Sequence, residues 1–525
     1  MSAPPHRLVA NLTERLHALE TAFYRAYWDS QVSATPENER RRAELEVELR
    51  RARGDPEALA AVETALGEPH HDPVFRRQLE VLKLSLTEDQ MEEARRAEIV
   101  ELSSAVENDF AAHRPELDGK PVSDNDIEEI LKTSNDEAER RAAWDASKQI
   151  GAIVADRVRE LARLRNQSAR DLGFADFYRM SLELQEIPER WLFDLLDEVE
   201  ALTTVPFARW KGELDDKLRA RFGVDQLYPW HYADPFFQQA PPDGTVNLDR
   251  VLQDADAPAF ARATFARWGI DISDVLAVSD LYPRPGKCQH AFCIDIDRSG
   301  KDVRVLANVV PGERWVEVML HECGHAAYDL CIDPRLPYLL HDVAHTFVTE
   351  AIALLSGRLV HDARWLTEVA GVDRREVDVV ADRLRRAEPT QSLLLARWIL
   401  VMAHFERELY ADPETDLDAL WWELVAQLQL VTPPPDRKAP DWAAKIHIAA
   451  APVYYHNYLL GDLLASQLKD TLERSCGGLV DGSGVGALLR ERIFRPGSVL
   501  RWDALIEQAT GKPLSPEHFA REVDL

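Results

Sequence analysis

Cysteine is scarce in this chain: five residues in 525. The five (Cys288, Cys293, Cys323, Cys331 and Cys476) are odd in number and scattered. That excludes a dense disulfide framework and predicts a reduced, cytoplasmic protein. Basic charge is also in deficit, with 62 Lys and Arg against 91 Asp and Glu, a formal net charge of −29. Nucleic acid and anionic membrane call for a basic surface, so neither is expected as a partner. No apolar run approaches the ~18 residues of a membrane span; Leu393-Leu394-Leu395-Ala396 is soon cut by Arg397. Residues 1–30 lack a charged segment followed by an apolar one, so no secretory signal is expected. Low-complexity tracts and internal repeats are missing as well.

What the chain does have is helix signals. Thr35-Pro36-Glu37 and Asp55-Pro56-Glu57 each put a capping side chain before a proline at the first helical position, and Gly67 closes the second segment. Ser134-Asn135-Asp136-Glu137 reads as a capping box. Residues 73–113 and 135–185 are long amphipathic stretches whose charged faces read as solvated helix surface. The stretch 431–436 and the glycine cluster from Gly477 to Gly486 read as loops. One interval breaks the helical pattern: residues 290–297 and 303–309, joined by Arg298-Ser299-Gly300-Lys301, predict a β-hairpin. It could offer backbone groups to an extended peptide, or serve as a small structural sheet.

His321-Glu322-Cys323-Gly324-His325 carries the most chemical information. H-E-x-x-H on a helix sets two imidazoles one turn apart on one face, where both can bind a single Zn²⁺. Glu322 then stands beside the metal as a general base toward the attacking water. Cys323 points to a different helix face and is not expected as a ligand. The third ligand must come from elsewhere, and Glu350 in the apolar stretch 346–353 is the candidate. The bland alternative is a pair of core histidines, which would need buried partners of their own.

The spacing from His321 to Glu350 resembles that of the glutamate-ligand zinc peptidases, the gluzincins. Within them the likeness is to the angiotensin-converting-enzyme and thimet oligopeptidase/oligoendopeptidase group. Residues 161–166 with 169–174, residues 229–238, residues 285–293, and residues 444–448 with 455–458 resemble segments of that group, so the likeness spans about 160–465. The N-terminal third is similar only in being helical.

The resemblance implies one zinc per chain and a short peptide as substrate. It implies Tyr458 as oxyanion donor, His447 as a second donor, and Lys445 as partner of a substrate's terminal carboxylate. Tyr455 joins them as a substrate-binding residue, and His290 and Ala291 would lie on the edge strand along bound peptide. Taken without the family, Tyr454, Tyr455 and Tyr458 at helical spacing read as core, and Lys445 as a solvated surface lysine. Between His447 and Tyr458 the chain is one residue longer than the converting-enzyme pattern. Four residues after Glu350 stands Leu354, where relatives often carry an acid that orients a zinc-bound histidine; Asp329 and Asp342 are the substitutes to consider.

The expected fold is mainly α, two helical lobes around a deep cleft, with a small β-hairpin beside the zinc-binding helix. It forms a single peptidase unit over 1–525: an N-terminal helical part at 1–160, a catalytic region at 161–470 and a C-terminal helical segment at 471–525. The expected activity is zinc-dependent hydrolysis of short peptides, as an oligoendopeptidase or a carboxydipeptidase. The alternative is a zinc-stabilised peptide-binding protein without turnover. The oligomeric state is left open.

Overall fold

The computed structural model describes residues 5–241, 248–480 and 482–524. Helices account for 69% of the structure, beside two small antiparallel two-stranded sheets, so the mainly α expectation holds. The chain forms two compact units. The first comprises Met1–Gln90, Thr245–Arg385 and Leu460–His518; the second comprises Met91–Gly244, Arg386–Leu459 and Phe519–Leu525.

In the first unit, Thr35 and Asp55 cap the helices Pro36–Arg53 and Pro56–Leu66 as expected, and Gly67 ends the latter. These helices join Pro5–Val32 and Pro73–Glu88 around a core that includes Leu16, Leu49, Val62, Leu79, Leu82 and Leu86. The predicted hairpin is present: Phe292–Asp295 pairs antiparallel with Val303–Leu306, Phe292 opposite Leu306. Trp28 packs on the hairpin through Ile296 and Leu306. The glycine cluster is only partly loop. The helix Ser483–Leu489 begins inside it, and residue 481 lies outside the described residues. Gly486 permits a close approach there, since a Cβ would stand 1.6 Å from the Trp268 carbonyl oxygen.

In the second unit the long helices are Gln149–Asp171 and Glu189–Phe222. Ser134 is not the capping box it resembles. It ends the helix Asp124–Thr133, and Asp136 caps Glu137–Ser147 by accepting the Ala138 and Glu139 N–H groups. An aspartate directly before the first turn reaches those donors where Ser134, earlier in the chain, does not. The reciprocal box is Ser123 with Asp126, further upstream. Trp144, Ile127, Leu131 and Trp230 form a core beneath it.

Candidate active site

The H-E-x-x-H run lies in the helix Glu313–Cys331, and Glu350 lies in Thr346–Gly357, both in the first unit. Val316, Met319, Leu320 and Cys323 bury the back of the first helix, and Phe347, Val348, Ala351 and Ile352 that of the second. The two helices meet through a glycine. A Cβ on Gly324 would fall 2.4 Å from Ser356 Oγ and 2.9 Å from Ala353 Cα, so only glycine allows this approach.

That contact brings His321, His325 and Glu350 together, with one donor atom from each within 4.8 Å of the others. His321 Nε2 and His325 Nε2 stand 3.6 Å from Glu350 Oε1 and Oε2 respectively. Atoms bound at about 2.0–2.1 Å to a tetrahedral ion lie roughly 3.3–3.4 Å apart, close to these separations. The side chains keep 26%, 19% and 20% of their surface, which leaves the group open on one side.

Burial pulls the imidazoles down to about 4 at His321 and about 3 at His325, so both are neutral with free lone pairs at pH 7. Burial pushes the Glu350 carboxyl up to about 7. Two neutral imidazoles and a carboxyl are a donor set that suits a zinc ion. Cys323 is fully buried and is not in the group.

Glu322 is 8% exposed. Burial and the charge of Glu350 push its carboxyl up to about 8, opposed by a hydrogen bond from the Cys293 backbone on the hairpin. The hairpin thus touches the motif helix directly. Phe292–Asp295 has a second edge with no strand partner among the described residues. His290, exposed, and Ala291, half-buried, lie just before that strand and not in it, because regular pairing starts only at Phe292.

Neither acid considered for orienting a histidine does so. Asp342 pairs with Arg298 at 3.3 Å, and Asp329 faces the Cys293 thiol at 4.0 Å. The group on His325 is Thr349, whose Oγ1 is 2.8 Å from Nδ1. Nothing in the residue type marks Thr349 in the sequence. Its position directly before Glu350 is the only signal.

The remaining candidates belong to the second unit. Lys445 is half-buried, so the surface reading of this lysine fails. Its Nζ donates to Gln238 Oε1 at 2.9 Å and stands over the rings of Phe236 and Trp398. Burial pulls the ammonium down to about 8. Gln238 ends the 229–238 segment that resembles the peptidase group, but the sequence assigns it no role. It is held in place by the fully buried Asp234, which accepts its N–H and those of Phe236 and Gln239.

His447 opens the short helix His447–Ala450, with Nδ1 buried and lacking a hydrogen-bond partner. Its ring lies 5.1 Å from that of Tyr455. Tyr455 is 5% exposed, as core packing predicts, while Tyr458 is half-buried and meets it edge-on at 5.6 Å. The stretch that is one residue longer than the converting-enzyme pattern contains the turn at 451–455. There Val453 takes φ 54, a left-handed conformation that β-branched residues rarely adopt. Its N–H donates to the buried Glu406 at 2.9 Å, and its carbonyl accepts from Gln185. Gln185 also accepts from Asn457 at 2.9 Å, one residue before Tyr458.

Residues 4–203 match peptidase family M2, angiotensin-converting enzyme, and residues 276–525 match peptidase family M3. Together the two matches make the chain similar to the gluzincin-type metallopeptidases of the angiotensin-converting-enzyme and thimet oligopeptidase kind. Both families are zinc-dependent. The first match corrects the extent read from sequence: the N-terminal third shares more with the converting enzyme than helical character. The second carries the likeness past residue 465 to the end of the chain and contains the histidine–glutamate group. No curated protein matches the chain. Among the described residues no helix is long and apolar enough to cross a membrane.

Proposed function

We propose that this metallopeptidase cleaves short peptides with a single zinc ion held by His321, His325 and Glu350. The observation that carries the reading is the convergence of these three donors beside a buried Glu322. Zinc in that position supplies Lewis acidity toward a carbonyl and a water molecule. With the ion's charge beside it to offset the burial that raises its carboxyl, Glu322 would be ionised, accept the proton of the attacking water and pass it to the leaving amine, its carboxyl held by the Cys293 N–H. Tyr458 and His447, carried over from the converting-enzyme likeness, donate to the oxyanion. The edge of Phe292–Asp295 that no other strand pairs among the described residues, with His290 and Ala291 just before it, suits the backbone of an extended substrate.

A carboxydipeptidase is favoured over an oligoendopeptidase by one contact. The half-buried Lys445 ammonium meets a neutral amide, Gln238, where a carboxylate would be expected to pair with it. Lys445 and Gln238 together offer N–H donors to a substrate's terminal carboxylate, with the Tyr455 ring centroid 6.0 Å from the Lys445 ammonium. A zinc-stabilised binding protein is the weaker reading, because a structural site closes its fourth position and has no use for a base.

The test is Glu322→Gln, which removes the base and leaves the three donors. It should retain about one zinc per chain by metal analysis while turnover of short peptides falls about 10²–10⁴-fold. Undiminished turnover would transfer the role of base to another residue.

A further inference from the structure

Thr349 and Glu350 are consecutive residues of one helix, and they meet opposite edges of the same imidazole. Thr349 Oγ1 lies 2.8 Å from His325 Nδ1, and Glu350 Oε2 lies 3.6 Å from His325 Nε2. A histidine that binds metal through one nitrogen needs its other N–H directed at an acceptor, which fixes both tautomer and ring orientation. Leu354 leaves this chain without a carboxylate four residues after Glu350. Asp329 and Asp342 are engaged elsewhere.

We propose that Thr349 is the positioning residue of the metal centre, its hydroxyl oxygen accepting the Nδ1–H of His325 and turning the Nε2 lone pair toward the ion. This rests on the zinc reading given above. A threonine in a helix can donate its own proton to the carbonyl three or four residues back, which leaves lone pairs for the imidazole.

The position of Thr349 follows from the helix contact. Gly324, beside His325, lies against Ala353 and Ser356 on the facing helix, and Thr349 stands one turn before Ala353. One helix therefore supplies both a ligand and the group that aims another ligand.

Thr349→Val keeps the shape and removes the acceptor, whereas Thr349→Ser keeps the hydroxyl. Zinc affinity of the metal-free proteins, read by competition with a chromophoric chelator, should fall about 10–100-fold in the valine variant. The serine variant should stay within about threefold of wild type. Nitrogen-15 spectra of metal-free wild type should show His325 protonated at Nδ1, and Thr349→Val should lose that preference. Equal zinc affinity in wild type and Thr349→Val would overturn the assignment, and so would an equal loss in both variants, which would signal packing. His321→Ala separates this failure from that of the zinc reading. If wild type binds zinc tightly, His321→Ala does not, and Thr349→Val does, only the role of Thr349 falls.

Discussion

At the scale of single residues, burial decides which ionisable groups do unusual work. Glu406 is 2% exposed, accepts the Val453 N–H, and has its carboxyl pushed up to about 8 by burial. Its folded value lies above the unfolded one. Its contribution to stability is therefore fully present below about pH 4.5 and lost as pH rises through about 8. Glu406→Gln preserves the acceptor and cannot ionise. Urea unfolding should show the glutamine variant gaining on wild type between pH 5 and 8, by as much as a few kcal/mol. A difference that stays flat across that window would mean Glu406 does not titrate there. Lys445 follows the same rule with the opposite charge, which is why a lysine in a run of ordinary composition emerges as a group with a depressed pKa.

At the scale of elements, the contact between Glu313–Cys331 and Thr346–Gly357 sets the candidate site. Gly324→Ala would place its methyl on Ser356 Oγ and near Ala353 Cα, so the helices must part. Overpacking of this kind typically costs about 1–3 kcal/mol. Chemical denaturation should show that loss, and zinc affinity should fall with it, because the proposed ligands sit on either side of the contact. Adding Ser356→Ala should recover only part of the loss, since the Ala353 contact is backbone and stays. Wild-type stability in Gly324→Ala would show that the helices separate freely. The hairpin was legible from its alternation and turn residues, but its register, Phe292 opposite Leu306, was set only by the folded pairing. The cap at Asp136 was not, because Ser134 and Asp136 both fit the pattern and only the path of the chain selects between them.

At the scale of the molecule, each unit is assembled from segments distant in sequence, and the candidate residues are divided between them. The mode of cleavage can be read without reference to their arrangement. One peptide is compared with a free and an amidated C-terminus, on wild type and on Lys445→Ala. If Lys445 and Gln238 hold a terminal carboxylate, amidation should lower kcat/KM strongly in wild type and little in the variant. Equal cleavage of both peptides by wild type would favour an oligoendopeptidase.

The sequence by itself determined the mainly helical class and the hairpin, and it singled out His321, His325 and Glu350, which the structure brings together. These rest on local periodicity and on motif spacing, which a linear string records. His321 and His325 share a helix face because they are four residues apart, whatever surrounds them. Only the tertiary structure decided the partners: Thr349 on His325, Gln238 on Lys445, Asp342 on Arg298 instead of a histidine. Those depend on how closely two helices approach and which polar groups remain once a core has closed, and no spacing along the chain encodes that.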